Sequence, residues 1–242
     1  MAQAKVRVTW LGHSTFLFDT PRGKRVVIDP FLENNPACPT AFKSLERADL
    51  VLVTHGHYDH VAEAERIAKA SGALVIGIFE VCHWLGQRGV EKTSGMNKGG
   101  SQTAEGIRVT MTHALHSAGF INPDGSITYL GEAAGYVVEF ENGYRIYHAG
   151  DTGIFGDMAL IGELYAPQTA LLPIGDHFTM GPREAAKACE LLKVPQVVPM
   201  HFGTFPVLTG TPAALRALVE PKGVRVLELK PGETVEIGDG EQ

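Results

Sequence analysis

Three imidazoles and a carboxylate fall within six residues at His55-Gly56-His57-Tyr58-Asp59-His60. Histidine nitrogens and carboxylate oxygens are ligands for divalent cations, and four of them at this spacing point to a metal site rather than a solvated turn. The preceding Leu50-Val51-Leu52-Val53 is a short apolar run that reads as a buried strand. Residues 61–70 read as a helix, with Val61, Ala64, Ile67 and Ala68 on one side and Glu63, Glu65, Arg66 and Lys69 elsewhere. The cluster therefore sits on a strand-to-helix turn. In extended chain His55 and His57 point to the same side and can reach one cation. Asp59 and His60, past the bend, are aimed differently and can serve a second. Asp59 also offsets the positive end of the helix dipole, which is otherwise a poor neighbour for a cation.

Further ligands stand at the ends of other predicted strands: His116 after residues 107–112, Asp151 after 144–148 and His201 after 196–200. Side chains at the carboxyl ends of several strands can converge on one point. Gly150 and Gly153 flank Asp151 and permit a sharp turn there. A carboxylate has two oxygens, so Asp151 is the natural bridge between two cations. His55, His57 and His116 would hold one, and Asp59, His60 and His201 the other. His113, three residues before His116, fits the third position of the first set equally well on spacing. Two cations about 3.5–4 Å apart polarise a water into a nucleophile and stabilise the oxyanion that its attack creates. Asp59 and Asp151 are thus expected to carry the chemistry. Asp176 and His177, after the predicted strand at 169–173, are the candidates for proton transfer or substrate contact. A neutral His177 can donate a proton to a leaving group. Asp29 either orients a ligand histidine through its second ring nitrogen or turns the chain before Pro30. His148 reads as a buried, hydrogen-bonded residue and His83 as structural.

The elements that must position these residues follow from the apolar pattern. Strands are expected at residues 6–10, 15–19 and 25–29, then at 50–53 and, after the helix, at 73–78. Residues 82–104 are polar and Gly-rich with no clear period, and 95–100 reads as a loop. Residues 107–112 alternate as a strand, and 135–140 and 144–148 form a hairpin around Glu141-Asn142-Gly143. A strand at 169–173, a helix at 182–193 opened by Pro182, and a strand at 196–200 repeat the order of the first half. A last helix begins at Thr211-Pro212, and two short strands around Pro231-Gly232 close the chain. Two similar β-rich halves with helices, and no linker between them, predict one domain over residues 1–242. A two-sheet α/β sandwich with helices outside fits that order.

Composition narrows the partners. The 242 residues carry a net charge of −6, which argues against nucleic acid. No apolar run reaches the ~18 residues needed to span a bilayer, so no integral membrane segment is expected. The first residues lead straight into strand without a secretory core. Cys38, Cys82 and Cys189 have neither metal nor redox spacing, and a cytoplasmic location is expected.

The series His55-x-His57-x-Asp59-His60, His116, Gly150-Asp151-Thr152 and Met200-His201-Phe202-Gly203-Thr204 resembles the metallo-β-lactamase superfamily. Leu11-Gly12-His13-Ser14-Thr15, Ile28-Asp29-Pro30 and Leu172-Pro173-Ile174-Gly175-Asp176 extend the resemblance over nearly the whole chain. Within the superfamily the chain is similar to a bacterial group of metal-dependent hydrolases related to L-ascorbate-6-phosphate lactonases and N-acylphosphatidylethanolamine-hydrolysing phospholipases D. The resemblance implies a four-layer αβ/βα sandwich, prefers His116 over His113 as ligand, and places His13 and Asp29 near the metals. It also implies a homo-oligomer. No cysteine lies at a ligand position, unlike the commonest zinc β-lactamases, so β-lactam hydrolysis is not expected. The expected activity is hydrolysis of an ester-like bond, a phosphodiester or a lactone, in a small-molecule substrate. Lys98, Arg145 and Arg183 are the cations that could meet a phosphate. Two divalent ions are expected, zinc first, with manganese or iron as alternatives. A mononuclear-metal oxidoreductase of the same fold, and a non-catalytic metal-binding assembly protein, are the competing readings. The complete second ligand set counts against the first of these.

Overall fold

The computed structural model describes residues 5–238. Its first half runs β1 (Val6–Trp10), β2 (Phe16–Asp19), β3 (Arg25–Ile28), α1 (Thr40–Lys43), β4 (Leu50–Val53), α2 (Tyr58–Val61), α3 (Ala64–Ser71), β5 (Leu74–Ile78), α4 (Phe79–Gln87) and β6 (Thr93–Met96). The second runs β7 (Ser101–Ala104), β8 (Ile107–His113), β9 (Gly119–Ile121), β10 (Ile127–Tyr129), β11 (Ala134–Glu139), β12 (Arg145–His148), α5 (Met158–Tyr165), β13 (Thr169–Pro173) and α6 (Pro182–Leu192). It ends with β14 (Gln196–Met200), α7 (Pro212–Val219), β15 (Arg225–Val226) and β16 (Thr234–Ile237).

Two seven-stranded sheets result, in the orders β16-β1-β2-β3-β4-β5-β6 and β15-β14-β13-β12-β11-β8-β7. The halves correspond strand for strand. In each, an antiparallel hairpin (β2–β3, β11–β12) is followed by three parallel strands (β4–β6, β13–β15) reached through helices. Parallel strands require such crossovers, and strands covered on both faces lose their apolar alternation. β4 and β13 are accordingly buried at every position.

Alternation in the second sheet separates its two faces. Tyr136, Val138, Leu171, Val198 and Met200 join the core shared with the first sheet. Val137, Ala170, Leu172 and Val197 pack instead with residues of α5, α6 and α7. With α3 and α4 contributing Ile67, Val81 and Leu85 to the core of the first sheet, the layers stack α/β/β/α. This is the sandwich expected from the sequence. Among the described residues no helix is long and apolar enough to cross a membrane.

Four local departures have physical causes. The helix expected over 61–70 is two helices, α2 and α3, broken at Ala62 and Glu63. Glu63, which falls off the apolar side of the expected helix, is buried, and its carboxylate accepts the backbone N–H groups of Leu32 at 2.6 Å and Glu33 at 3.2 Å. The stretch 82–104 holds the end of α4 and the strands β6 and β7, whose residues are half-buried or exposed and so carry no apolar rhythm. Met96, Gly95 and their neighbours thus pair in β6 where a loop was expected. Of the two closing strands, only β16 adjoins Pro231-Gly232; β15 ends earlier and belongs to the other sheet. Helix α5 and the hairpin β9–β10 carry no expectation from sequence. Leu160 and Leu164 of α5 are exposed, which blurs its apolar stripe.

Between the sheets, the buried Tyr136 hydroxyl of β11 donates to the Val53 carbonyl at the end of β4, 2.7 Å away. Tyr136→Phe removes that buried bond between the sheets and should destabilise the metal-free protein by about 1 kcal/mol. The check is a lower urea midpoint with an unchanged slope.

Candidate metal centre

All the strands that carry site residues end at one edge of the sandwich. β3, β4, β12 and β14 run parallel within their sheets, and β1 and β8 share their directions through antiparallel neighbours. His13, Asp29, His55, His116, Asp151 and His201 each follow one of these ends. The backbone must turn sharply there. His13, Asp29 and His201 have φ of 55°, 48° and 56°, in the left-handed region that L residues seldom occupy. Gly150 precedes Asp151 with φ 64°, and a Cβ on it would stand 2.5 Å from the Ala134 carbonyl oxygen.

The ligand atoms of His55, His57 and His116 lie within 4.8 Å of one another. So do those of Asp59, His60 and His201, joined by His13. A third such group, His55, His60 and Asp151, lies between them in composition. Three imidazole nitrogens converge on one oxygen: Nε2 of His201, His60 and His116 stand 2.9, 3.2 and 3.8 Å from Asp151 Oδ2. The seven ligand-type residues read from sequence are thus brought together. His113 is not among them. It ends β8 with its side chain exposed, its Nδ1 3.3 Å from Lys98 Nζ and its ring 4.9 Å from that of Phe155. The chain continues into a loop held to the Asp151 turn by Leu115, whose N–H donates to Thr152 Oγ1 and whose carbonyl accepts from Gly153. That anchor delivers His116.

Two outer contacts settle which ring nitrogens are free. Asp29 Oδ1 accepts the Thr54 N–H, and Oδ2 accepts both the Thr54 hydroxyl at 2.7 Å and His60 Nδ1 at 2.8 Å. With its proton on Asp29, the Thr54 oxygen accepts from His55 Nδ1, 3.0 Å away. His55 and His60 therefore both present Nε2 lone pairs inward. Asp29 orients ligand histidines as well as turning the chain. His148 is buried, as expected, with Nδ1 accepting from Gly150 N–H and Nε2 donating to the Ser14 carbonyl. It braces the Gly150–Asp151 turn against the Ser14 loop, and Ser14 Oγ in turn lies 3.3 Å from Asp151 Oδ1.

Burial pushes His55 well below the usual imidazole range and also lowers His57 and His116, which favours the neutral, ligating form. Burial opposes charge on Asp151, but His201 and His60 hold its carboxyl well below the usual range. Burial likewise opposes charge on His60, yet Asp151 and Asp29 raise it well above the ordinary value. The reason is geometric. Its Nε2 lone pair faces a carboxylate oxygen, is buried, and has no hydrogen-bond partner; the same is true of partners for His201 Nδ1. Two electron pairs face to face call for a positive centre between them. The donor set, imidazoles with carboxylates, fits a divalent cation.

His13 is the residue that sequence reasoning placed near the metals without giving it a role. It is fully buried, Nε2 lies 2.9 Å from Asp59 Oδ2, and Nδ1 lies 3.1 Å from Thr204 Oγ1. Burial and the charge of His201 bring its pKa to about 4, so the ring is neutral and donates to Asp59 from Nε2. The available signal was its place at the end of a strand running with the others. His177 is exposed, stacks edge-on against Phe178 at 4.4 Å and belongs to none of the ligand groups; Phe178, not His177, lines the cleft over the clustered histidines. Lys98, Arg145 and Arg183 do not line it either.

Residues 24–202 match the β-lactamase superfamily domain. A UPF0173 metal-dependent hydrolase of Koribacter versatilis is 51% identical to the chain over 229 residues, 95% of this chain and 97% of the relative. The chain belongs to the UPF0173 family of the β-lactamase superfamily. Another relative of the same description, from Methanosarcina mazei, is 46% identical over 235 residues, covering 97% of this chain and 100% of its own. Among solved structures, Igni18, a metallo hydrolase from Ignicoccus hospitalis, superimposes with a TM-score of 0.84 at 37% identity, covering 98% of this chain and 100% of that one. Fold and family thus agree with the resemblance read from the motifs.

The Asp29 network yields a prediction for the metal centre. Asp29→Ala should weaken cation binding roughly 10–100-fold, measured by competition with a chromophoric chelator, while His177→Ala leaves that affinity unchanged.

Proposed function

We propose that the chain is a metal-dependent hydrolase with two cations, acting on an ester-like bond of a small molecule. The observation that carries this reading is the convergence of three imidazole nitrogens on Asp151 Oδ2 from both halves of the sandwich. His55, His57 and His116 would hold one cation, and Asp59, His60 and His201 the other, with Asp151 shared. The names of the relatives support hydrolysis, and the imidazole-rich, thiol-free donor set supports zinc first, then manganese or iron. Bound cations supply Lewis acidity and make water a competent nucleophile at neutral pH.

The chain's own residues do the rest. Asp29 and Thr54 fix the tautomers of His60 and His55, His13 holds one oxygen of Asp59, and Ser14 and His148 fix Asp151. In the hydrolysis, a water oxygen joins the carbonyl carbon or phosphorus, the bond to the departing oxygen breaks, and one water proton ends on that oxygen. A lactone then becomes a hydroxy acid; a phosphodiester becomes a monoester and an alcohol. Asp59, beside the cleft and partly exposed, is placed to accept a hydrogen bond from the attacking water and so orient it. His177, next to Phe178 in the chain, is kept in this reading as the candidate proton donor, although its side chain lines neither part of the cleft. The three free cysteines are buried, which fits a single domain working in a reducing cytoplasm.

The deciding experiment takes protein stripped of metal and reloaded with Zn²⁺ or Mn²⁺, and offers matched lactone and phosphodiester substrates. Turnover should return only with metal and fall at least about 100-fold in Asp59→Ala, beyond the loss typical of outer contacts. Absence of turnover in protein holding its cations would reject the hydrolase. The shared carboxylate has its own test by elemental analysis. Asp151→Asn should deplete both cations, whereas His201→Ala should deplete mainly one, and equal depletion would refute the bridge.

A further inference from the structure

The hairpin β9–β10 stands outside both main sheets and has two unlike faces. Its register pairs Ile127 with Ile121, Thr128 with Phe120 and Tyr129 with Gly119. Side chains alternate across a strand, so Phe120 and Thr128 share one face and Ile121, Ile127 and Tyr129 the other. The Phe120 face is anchored, with its ring 5.0 Å from that of Trp84 in α4. The other face leaves Ile121, Ile127 and Tyr129 exposed by 68%, 71% and 66%. Three large apolar side chains so exposed on one small face form a patch that calls for an occupant.

That face is continuous with the metal centre. Gly119 and Ile121 line a cleft of about 380 Å³ together with His116, Asp151 and His201. Ile127 and Tyr129 line its extension of about 520 Å³, which shares His57 and His116. Across the cleft stand Tyr58 and Phe178, themselves half exposed. No lysine or arginine lines either part. The charges present beyond the ligands are those of Glu132 and its partner Lys98, whose ammonium is held at 2.7 Å. With Glu132 offset by Lys98, a phosphate would meet no lysine or arginine on these walls, while an alkyl or aryl group would meet apolar side chains.

We propose that the β9–β10 hairpin is the specificity wall of this hydrolase and receives an uncharged apolar substituent, alkyl or aryl, of a carboxylic ester or lactone. The proposal rests on the hydrolase reading above and chooses between its two substrate classes. Burying each further methylene against Ile121, Ile127 and Tyr129 raises kcat/KM by up to about fourfold.

The test uses metal-loaded protein and lactones that differ only in the length of an n-alkyl substituent. Binding of the matching, non-hydrolysed lactams by calorimetry gives a readout independent of turnover. Both series should climb with chain length, and the climb should flatten in Ile127→Ser and in Ile121→Ser/Ile127→Ser. Anionic substrates of equal size should be poorer, and Glu132→Gln should narrow that gap. A flat length dependence in the unaltered protein, or preference for the phosphodiester, overturns the proposal while leaving the hydrolase intact. Lack of all turnover with lactam affinity still rising would refute the hydrolase and keep the wall. A dimer in sedimentation that the serine variants dissociate would show the face covered by a second copy, and would also overturn it.

Discussion

A carboxylate with no exposed surface, Asp29, is the constraint from which the centre is built. It receives a backbone amide, a hydroxyl and an imidazole N–H, all at 2.7–2.8 Å. Burying such a charge is tolerable only because each oxygen is fully engaged by donors. In return it dictates the orientation of two of the clustered histidines, His60 directly and His55 through Thr54. The Thr54 carbonyl also accepts from Ala134 N–H of the second sheet. One side chain thereby couples ring tautomers, the end of β4 and the seam between the sheets.

Topology supplies the other condition. Parallel strands reached by crossover helices all end at the same edge, so polar residues just past buried strands collect there without long loops. The turns that follow are tight, and three of the site's non-glycine residues occupy the left-handed region, each at a cost of order 1 kcal/mol or more. Such conformations persist because the surroundings leave no alternative. His201, for example, has its N–H tied to the His13 carbonyl at 3.0 Å and its own carbonyl close against Gly175.

The sequence was most legible where burial is complete. β4 and β13 are buried throughout and largely apolar, the polar residues after them stand out, and the two-half order follows from the repeated hairpin, strand, helix and strand. The ligand-type residues share that clarity, since they sit directly beyond such strands. His113 and His116 stayed equivalent on spacing because what separates them, the pinning of Leu115 to Thr152, joins residues distant in the chain. The burial of Glu63 was not legible because its donors, the amides of Leu32 and Glu33, are distant in the chain and have no sequence signature. The β9–β10 hairpin was invisible for the opposite reason: its three-residue strands bury little, so no apolar rhythm marks them.

The ligand groups draw on both halves, with His55 and His57 from the first meeting His116 from the second, and His60 meeting His201. A cation held there is consequently a clasp between two sheets as well as a reagent. Its binding free energy is then partly the free energy of docking one half on the other. Any change that loosens the seam, however far from the histidines, must register as weaker retention of the ion, and a cell poor in the metal would hold a less tightly closed protein.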